Sequence, residues 1–222
     1  MDSQAARALM VDGQVRPNKV TDPRIIAAMR RLPREAFLPP PCAALAYADE
    51  DVPLGGGRFA MEPMVIARLI QMAALRAGER VLVVAAGGGY GAAVMADCGA
   101  QVTALEEDAS LLALARTALA AHSPGVVLVE GRLAAGWAAG APFDAIVIEG
   151  AAEAVPAAIA AQLTPVSGRL VTVLVDPDRA GAGRIGHAVI GEMTPAGLNM
   201  RPVFDCAVPL LAGMRRAAKF VF

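Results

Sequence analysis

The stretch Arg80-Val81-Leu82-Val83-Val84-Ala85-Ala86-Gly87-Gly88-Gly89-Tyr90-Gly91-Ala92-Ala93-Val94 decides the fold. An apolar run stops at a glycine cluster, and a helical pattern of small residues follows. That is how a buried strand hands over to a helix through a turn tight enough for a nucleotide to approach the backbone. Gly87, Gly89 and Ala92 satisfy the G-x-G-x-x-G/A spacing, which alone is a weak signal because a glycine turn also serves close packing. The context strengthens it. A second strand over 101–105 leads to Glu106, an acid placed to accept hydrogen bonds from both ribose hydroxyls. The competing reading of Glu106 is an acidic helix start, since Glu107 and Asp108 follow and acids favour that position.

Outward from this stretch the chain alternates. Strands are expected over 80–85, 101–105, 125–129, 145–148 and 169–175, and helices over 91–98, 109–121 and 154–163. Late strand candidates cover 185–190 and 202–208, with a turn at Gly181-Ala182-Gly183 between strands. Strands separated by helical stretches mean βαβ units and a parallel sheet. Before residue 78 the pattern is helical: a helix over 3–11, another opened by Thr21 or Asp22 with Pro23 in its first turn, and a third beginning at Pro63. A polar, glycine-rich loop covers 49–57. The division is 1–77, an N-terminal helical extension with a site loop, and 78–222, a Rossmann-like core, forming one compact unit.

Composition narrows the classes. Of 222 residues, 56% are apolar, 18% charged and 4% aromatic, which suits a sheet covered on both faces by small-residue helices. A net charge of -1 without a basic run argues against nucleic acid. No run approaches the roughly 20 apolar residues of a membrane span, and the N-terminus lacks a secretory pattern. Cys42, Cys98 and Cys206 are far apart, without CxxC spacing, as for reduced thiols in a cytoplasmic protein. No metal-ligand spacing occurs.

Dinucleotides and S-adenosylmethionine both use this glycine arrangement. The fingerprint opens only at residue 80, lysine occurs only at 19 and 219, and histidine only at 122 and 187. His122 and His187 read as loop or surface residues, so a hydride-transfer constellation is not visible.

Over almost its whole length the chain resembles the protein-L-isoaspartate O-methyltransferases. Met10-Val11-Asp12-Gly13-Gln14-Val15-Arg16 and Asp22 to Met29 are similar to that family's N-terminal helical region. Leu32-Pro33-Arg34-Glu35-Ala36-Phe37-Leu38-Pro39 resembles its "VPRExFVP" segment, and Ala46-Tyr47-Ala48-Asp49 with Pro53-Leu54-Gly55 resembles "AYxDxxLPIG". Val81 to Val94 is similar to "VLEIGTGSGYQAAV", and Pro142-Phe143-Asp144-Ala145-Ile146 to the fourth core strand. Glu62-Pro63 falls where the family has "SQP"; a bacterial subgroup reads "LEP", and this chain looks closest to it. The resemblance implies a seven-stranded Rossmann-like methyltransferase fold, S-adenosylmethionine as methyl donor, and an isoaspartyl carboxylate of a protein or peptide as acceptor.

The departures are specific. The family's hydroxyl in "TISQP" is replaced by Met61; the acid before the glycines is Val83, and the first glycine is Ala85. The family's "GDG" reads Gly131-Arg132-Leu133, so an aspartate expected near the adenine amino group is Arg132, a donor-only side chain. Glu149 stands where the family has threonine. The expected cofactor contacts are therefore Ala85, Gly87, Gly89, Tyr90, Glu106, Arg132 and Glu149, and the expected acceptor contacts are Tyr47, Arg58 and Glu62. No catalytic residue is assigned, since Met61 and Glu62 occupy the motif. Glu62 opposes a carboxylate acceptor unless Arg58 neutralises it or it points away; its alternative role is capping the helix at Pro63. Arg30, Arg31, Arg34, Arg215 and Arg216 read as solvated, and Trp137 as packing under the loop after the third core strand.

The leading reading is a carboxyl methyltransferase. The alternatives are a degenerate relative serving as a binding or regulatory module, a methyltransferase with another acceptor, and a dinucleotide oxidoreductase. Oligomeric state is not encoded in any motif.

Overall fold

The computed structural model describes residues 2–176 and 185–216; the turn expected at Gly181-Ala182-Gly183 lies outside them. Helix α1 (Ser3–Met10) starts at Asp2, whose carboxylate accepts from the Gln4 N–H at 3.1 Å. It continues into a π-turn over Val11–Val15. Helix α2 (Pro23–Arg31) is capped by Asp22 with Pro23 in the first turn, as the sequence predicts. Short 3₁₀ turns over Arg34–Phe37 and Pro40–Leu45 lead to strands β1 (Val52–Gly55) and β2 (Arg58–Ala60), which pair antiparallel. The sequence predicts a loop here. The difference is the Gly55-Gly56-Gly57 reversal, where φ values of 96°, 57° and 75° turn the chain back on itself at no steric cost, while Val52 and Leu54 point inward.

Helix α3 (Pro63–Met72) precedes the alternating region: β3 (Arg80–Val84), α4 (Tyr90–Asp97), β4 (Gln101–Glu106), α5 (Ala109–His122), β5 (Val127–Glu130), β6 (Ala145–Ala152), α6 (Ala157–Ala160), β7 (Arg169–Leu174), β8 (Ile185–Thr194) and β9 (Gly197–Ala207). The helix expected over 154–163 shrinks to four residues. Pro156 precedes its first turn, and the Gln162 carbonyl is drawn away to accept from Phe143 N–H at 2.8 Å.

The sheet order is β5-β4-β3-β6-β7-β8-β9. The first five strands are parallel; β8 runs antiparallel to both neighbours. The parallel sheet expected from the βαβ alternation is present over these five strands, and the two late strands make the whole sheet mixed. Two residues join β8 to β9, and a connection that short returns the chain only in the antiparallel sense. Pro202 sits in β9, an edge strand, opposite Val189 and beside the register shift at Ala188/Val189, the kind of place a sheet tolerates proline.

Alternation along each strand divides the core. Val81 and Val83 face the layer containing Met10, Val15, Ile25, Met29 and α3; Leu82 and Val84 face Leu133, Phe143, Ile159 and Leu211. Side chains of successive strand residues point to opposite faces, so a continuous apolar run is what a sheet covered on both sides demands. Winding reverses between β3 and β6, which opens a crevice beyond their carboxyl ends, the position where open α/β sheets take ligands.

Candidate functional site

The crevice is built on the β3–α4 turn. Ala85 adopts φ 64°, a left-handed conformation that costs a non-glycine residue roughly 1–2 kcal/mol. The residue that replaces the expected first glycine therefore keeps the glycine backbone. Gly87 follows at φ 56°, and Gly89, at φ 94°, occupies the N-cap of α4. Two further glycines are fixed by contact. A Cβ on Gly88 would meet the Phe37 carbonyl oxygen at 1.9 Å, and one on Gly91 would meet Glu149 Oε1 at 1.9 Å.

Glu106, at the end of β4, is wholly buried, and Arg58 from β2 spans its carboxylate. Nη1 donates to Oε1 at 2.8 Å and Nη2 to Oε2 at 2.9 Å, while Nη2 also donates to the Ala85 carbonyl at 3.0 Å. The N–H groups of Gly87, Glu107 and Asp108 complete the carboxylate at 2.8, 2.8 and 3.0 Å. Arg58 therefore fills the position in which a ribose diol would donate to this acid. The sequence pairs Arg58 with Glu62 instead; the β1–β2 reversal swings the guanidinium onto Glu106.

A cavity of about 20 Å³ lies beside this pair, lined among others by Arg34, Phe37, Met61, Gly87, Tyr90 and Glu149. That is room for about one water. A smaller one of about 10 Å³ shares Phe59, Met61 and Glu149 and is bordered by Arg58. Arg34 was expected in solvent; it is only 2% exposed. Its Nη2 donates to the Met61 carbonyl at 2.6 Å, and its Cζ lies 5.0 Å from the centre of the Tyr90 ring, within cation–π range. The neighbouring Leu32 and Phe37 are core residues, so the short 3₁₀ turn carries Arg34 inward with them. Burial pulls its guanidinium below the ordinary arginine value. Tyr90 packs edge-on against Phe37 at 5.6 Å, and burial raises its phenol. Burial also pushes the Glu149 carboxyl up to about 8, against the opposing pull of Arg34 and Arg58. Arg34 Nε, Tyr90 OH and Glu149 Oε1 are buried without a hydrogen-bond partner.

The expected site residues thus fall into two groups. Ala85, Gly87, Tyr90, Glu106, Glu149, Arg58 and Met61 converge on the crevice, and Gly89 starts the helix beneath it. The others lie elsewhere. Arg132 is exposed at the N-cap of the 3₁₀ turn after β5. Tyr47 accepts from Arg7 Nε at 3.0 Å and donates to Glu35, which, after burial, raises its phenol to about 12. Glu62 occupies the N-cap of α3 without a side-chain cap bond; its N–H donates to Asp51 at 2.9 Å. Burial, then Asp51 and Asp49, raise its carboxyl. Neither Tyr47 nor Glu62 lines the two cavities. Trp137 closes over Gly131 and Gly140, and its backbone N–H donates to Gln162 Oε1 at 2.7 Å. Sequence reasoning missed Arg34, Gly88 and Gly91. Only the position of Arg34 between Leu32 and Phe37 hinted at burial.

Comparison with known proteins agrees with this architecture. The family model for Protein-L-isoaspartate(D-aspartate) O-methyltransferase matches residues 6–180. A protein-L-isoaspartate O-methyltransferase of Methylorubrum populi is 45% identical over 175 residues, covering 79% of this chain and 82% of the relative. One from Methanoregula boonei is 34% identical, covering 79% and 85%. Among solved structures, a protein-L-isoaspartate O-methyltransferase superposes with a TM-score of 0.77 at 20% identity, covering 96% of this chain and 67% of the other. A Plasmodium falciparum structure described as a member of the same family, in complex with S-adenosyl-L-homocysteine, gives 0.73 at 16% identity, covering 93% and 98%.

Proposed function

Because this chain belongs to the protein-L-isoaspartate O-methyltransferase family, we propose that it methylates an isoaspartyl carboxylate of a protein or peptide with S-adenosylmethionine as donor. The observation that carries the reading is the acid and glycine turn at the strand-order reversal: Glu106 with Gly87 N–H at 2.8 Å. The set fits an adenosyl ligand in chemistry. Glu106 offers two acceptor oxygens, the glycine backbone permits close approach, and three buried polar atoms beside it lack partners. One exchange is required, in which the ligand's ribose hydroxyls replace the Arg58 guanidinium on Glu106.

The bound donor supplies an electrophilic methyl group on a sulfonium. The chain's own work is positional. An acceptor carboxylate is already anionic, so no general base is needed, and alignment with exclusion of water carries the rate. Met61 and Phe59 supply apolar cover at the crevice. Glu62, aligned with the acceptor motif, sits with Asp51 outside both cavities, which relieves the repulsion it would exert on an acceptor carboxylate. No helix among the described residues is long and apolar enough to cross a membrane, and the proposed setting is the cytoplasm, where damaged proteins are available as acceptors.

A second reading, a binding module without catalysis, is favoured by one observation: Arg58 already satisfies Glu106. The experiment is calorimetric titration with S-adenosylmethionine and S-adenosylhomocysteine, followed by methylation of an isoaspartyl peptide against its aspartyl counterpart. Micromolar binding, about -8 kcal/mol, with transfer to the isoaspartyl peptide alone is the expected result. Binding without transfer to either peptide selects the binding module, and no binding at millimolar ligand overturns the enzyme reading.

A further inference from the structure

Arg34 Nε, Tyr90 OH and Glu149 Oε1 are three partnerless buried atoms on one cavity. Arg34 is 2% and Tyr90 6% exposed. Unpaired buried polar groups are unfavourable, so three around one space mark a seat that something else completes. The three differ in kind: Arg34 is a donor-only cation, Glu149 an acid, and Tyr90 a hydroxyl that can donate or accept. None of the ion pairs among the described residues joins Arg34 to Glu149. A cation and an acid that face one cavity without pairing to each other are the complement of a zwitterion. A lone carboxylate would satisfy Arg34 but be repelled by an ionised Glu149, whereas a ligand carrying both charges meets both. The cavity also adjoins the glycine turn, whose Gly87 N–H binds Glu106 at 2.8 Å. A ligand reaching from Glu106 to this seat takes the place of the Arg58 guanidinium and widens a space that now holds about one water.

We propose that Arg34 and Glu149 bracket the amino-acid end of an S-adenosyl ligand, Glu149 taking its ammonium and Arg34, with Tyr90, its carboxylate. The assignment rests on the adenosyl-ligand reading above. The groups that face Glu149 are Arg34 from the first 3₁₀ turn, Arg58 from β2, Glu106 from β4 and Tyr90 from α4. In the free protein burial holds the Glu149 carboxyl protonated up to about 8. Pairing with an ammonium requires the ionised form, so binding at pH 7 releases a proton.

The test compares S-adenosylhomocysteine with 5′-methylthioadenosine, an adenosyl thioether lacking the amino-acid end, by calorimetry on the full chain. Glu149→Gln is expected to weaken S-adenosylhomocysteine at least tenfold and to change methylthioadenosine less than twofold. For the unsubstituted protein at pH 7, the heat of S-adenosylhomocysteine binding should vary with buffer ionisation enthalpy, reporting proton release, and that of methylthioadenosine should not. Should Glu149→Gln fail to fold, the proton release decides alone. Equal losses for both ligands, no loss for either, or no proton release would overturn the assignment while leaving the adenosyl reading intact. Failure of the unsubstituted protein to bind either ligand would overturn both.

Discussion

Glu106 and Glu149 are two acids on the strands that flank β3, and they have opposite fates. Glu106 is surrounded by five donated hydrogen bonds, two of them from Arg58. Glu149 keeps Oε1 buried and unmet. The contrast follows from what each strand end faces. The end of β4 meets two backbone N–H groups of the turn that follows it, the Gly87 N–H of the β3–α4 turn, and a hairpin guanidinium. The carboxyl on β6 lies over Gly91 and meets Arg34 and Arg58 only through space. A saturated acid contributes to stability, whereas an unmet one lowers it. That distinction between met and unmet carboxylates does not follow from residue type.

The comparison breaks most readily at Arg58. Arg58→Ala leaves Glu106 buried without its cation, and is expected to lower the unfolding free energy by about 3 kcal/mol in urea denaturation. S-adenosylhomocysteine should then restore more stability to the variant than it adds to the unsubstituted protein, since the ligand supplies the missing donors. A variant of unchanged stability would show the pair to be inert.

Glu149→Leu should act in the opposite direction. Replacing a buried, incompletely paired acid by an apolar side chain of similar size is expected to raise stability by about 1–2 kcal/mol. The pH dependence sharpens this. The folded carboxyl titrates at about 8, above the roughly 4.3 of an unfolded glutamate, so between these values the folded chain holds a proton the unfolded chain has lost. Stability from this group is full below about pH 4, falls as pH rises and levels off above about 8. Glu149→Gln should remove that slope from denaturation curves collected across pH 5 to 8; an unchanged slope would assign it to other groups.

The smallest effect is expected at Ala85, whose carbonyl accepts from Arg58 at 3.0 Å. Ala85→Gly relieves the left-handed strain, roughly 1–2 kcal/mol, and adds unfolded-state freedom, roughly 0.5–1 kcal/mol. The net is a gain of about 0–1.5 kcal/mol, readable as a small rise in the urea midpoint. A loss would mean the Ala85 methyl group packs usefully in the core layer it shares with Leu82 and Leu105.

Local pattern carried much of this molecule. The apolar run of β3, the glycine turn and the acid ending β4 are readable because period and turn chemistry act within a few residues. The caps at Asp22 and Pro23 are readable for the same reason. The β1–β2 hairpin was hidden because three glycines look like a loop until their φ values are known. The direction of β8 was hidden because alternation is the same in parallel and antiparallel strands.

Sequence by itself thus determined the βαβ core, the acid at Glu106, the left-out hydroxyl at Met61 and the family. Tertiary structure alone decided that Arg58, 48 residues before Glu106, would close upon it. It also decided that Arg34 would be buried against Tyr90 and that Glu149 would face the same cavity unmet. The physical reason is range. Strands, turns and caps are set by neighbours along the chain, whereas burial, and with it the partner and protonation of a charged group, is set by what distant segments bring alongside it.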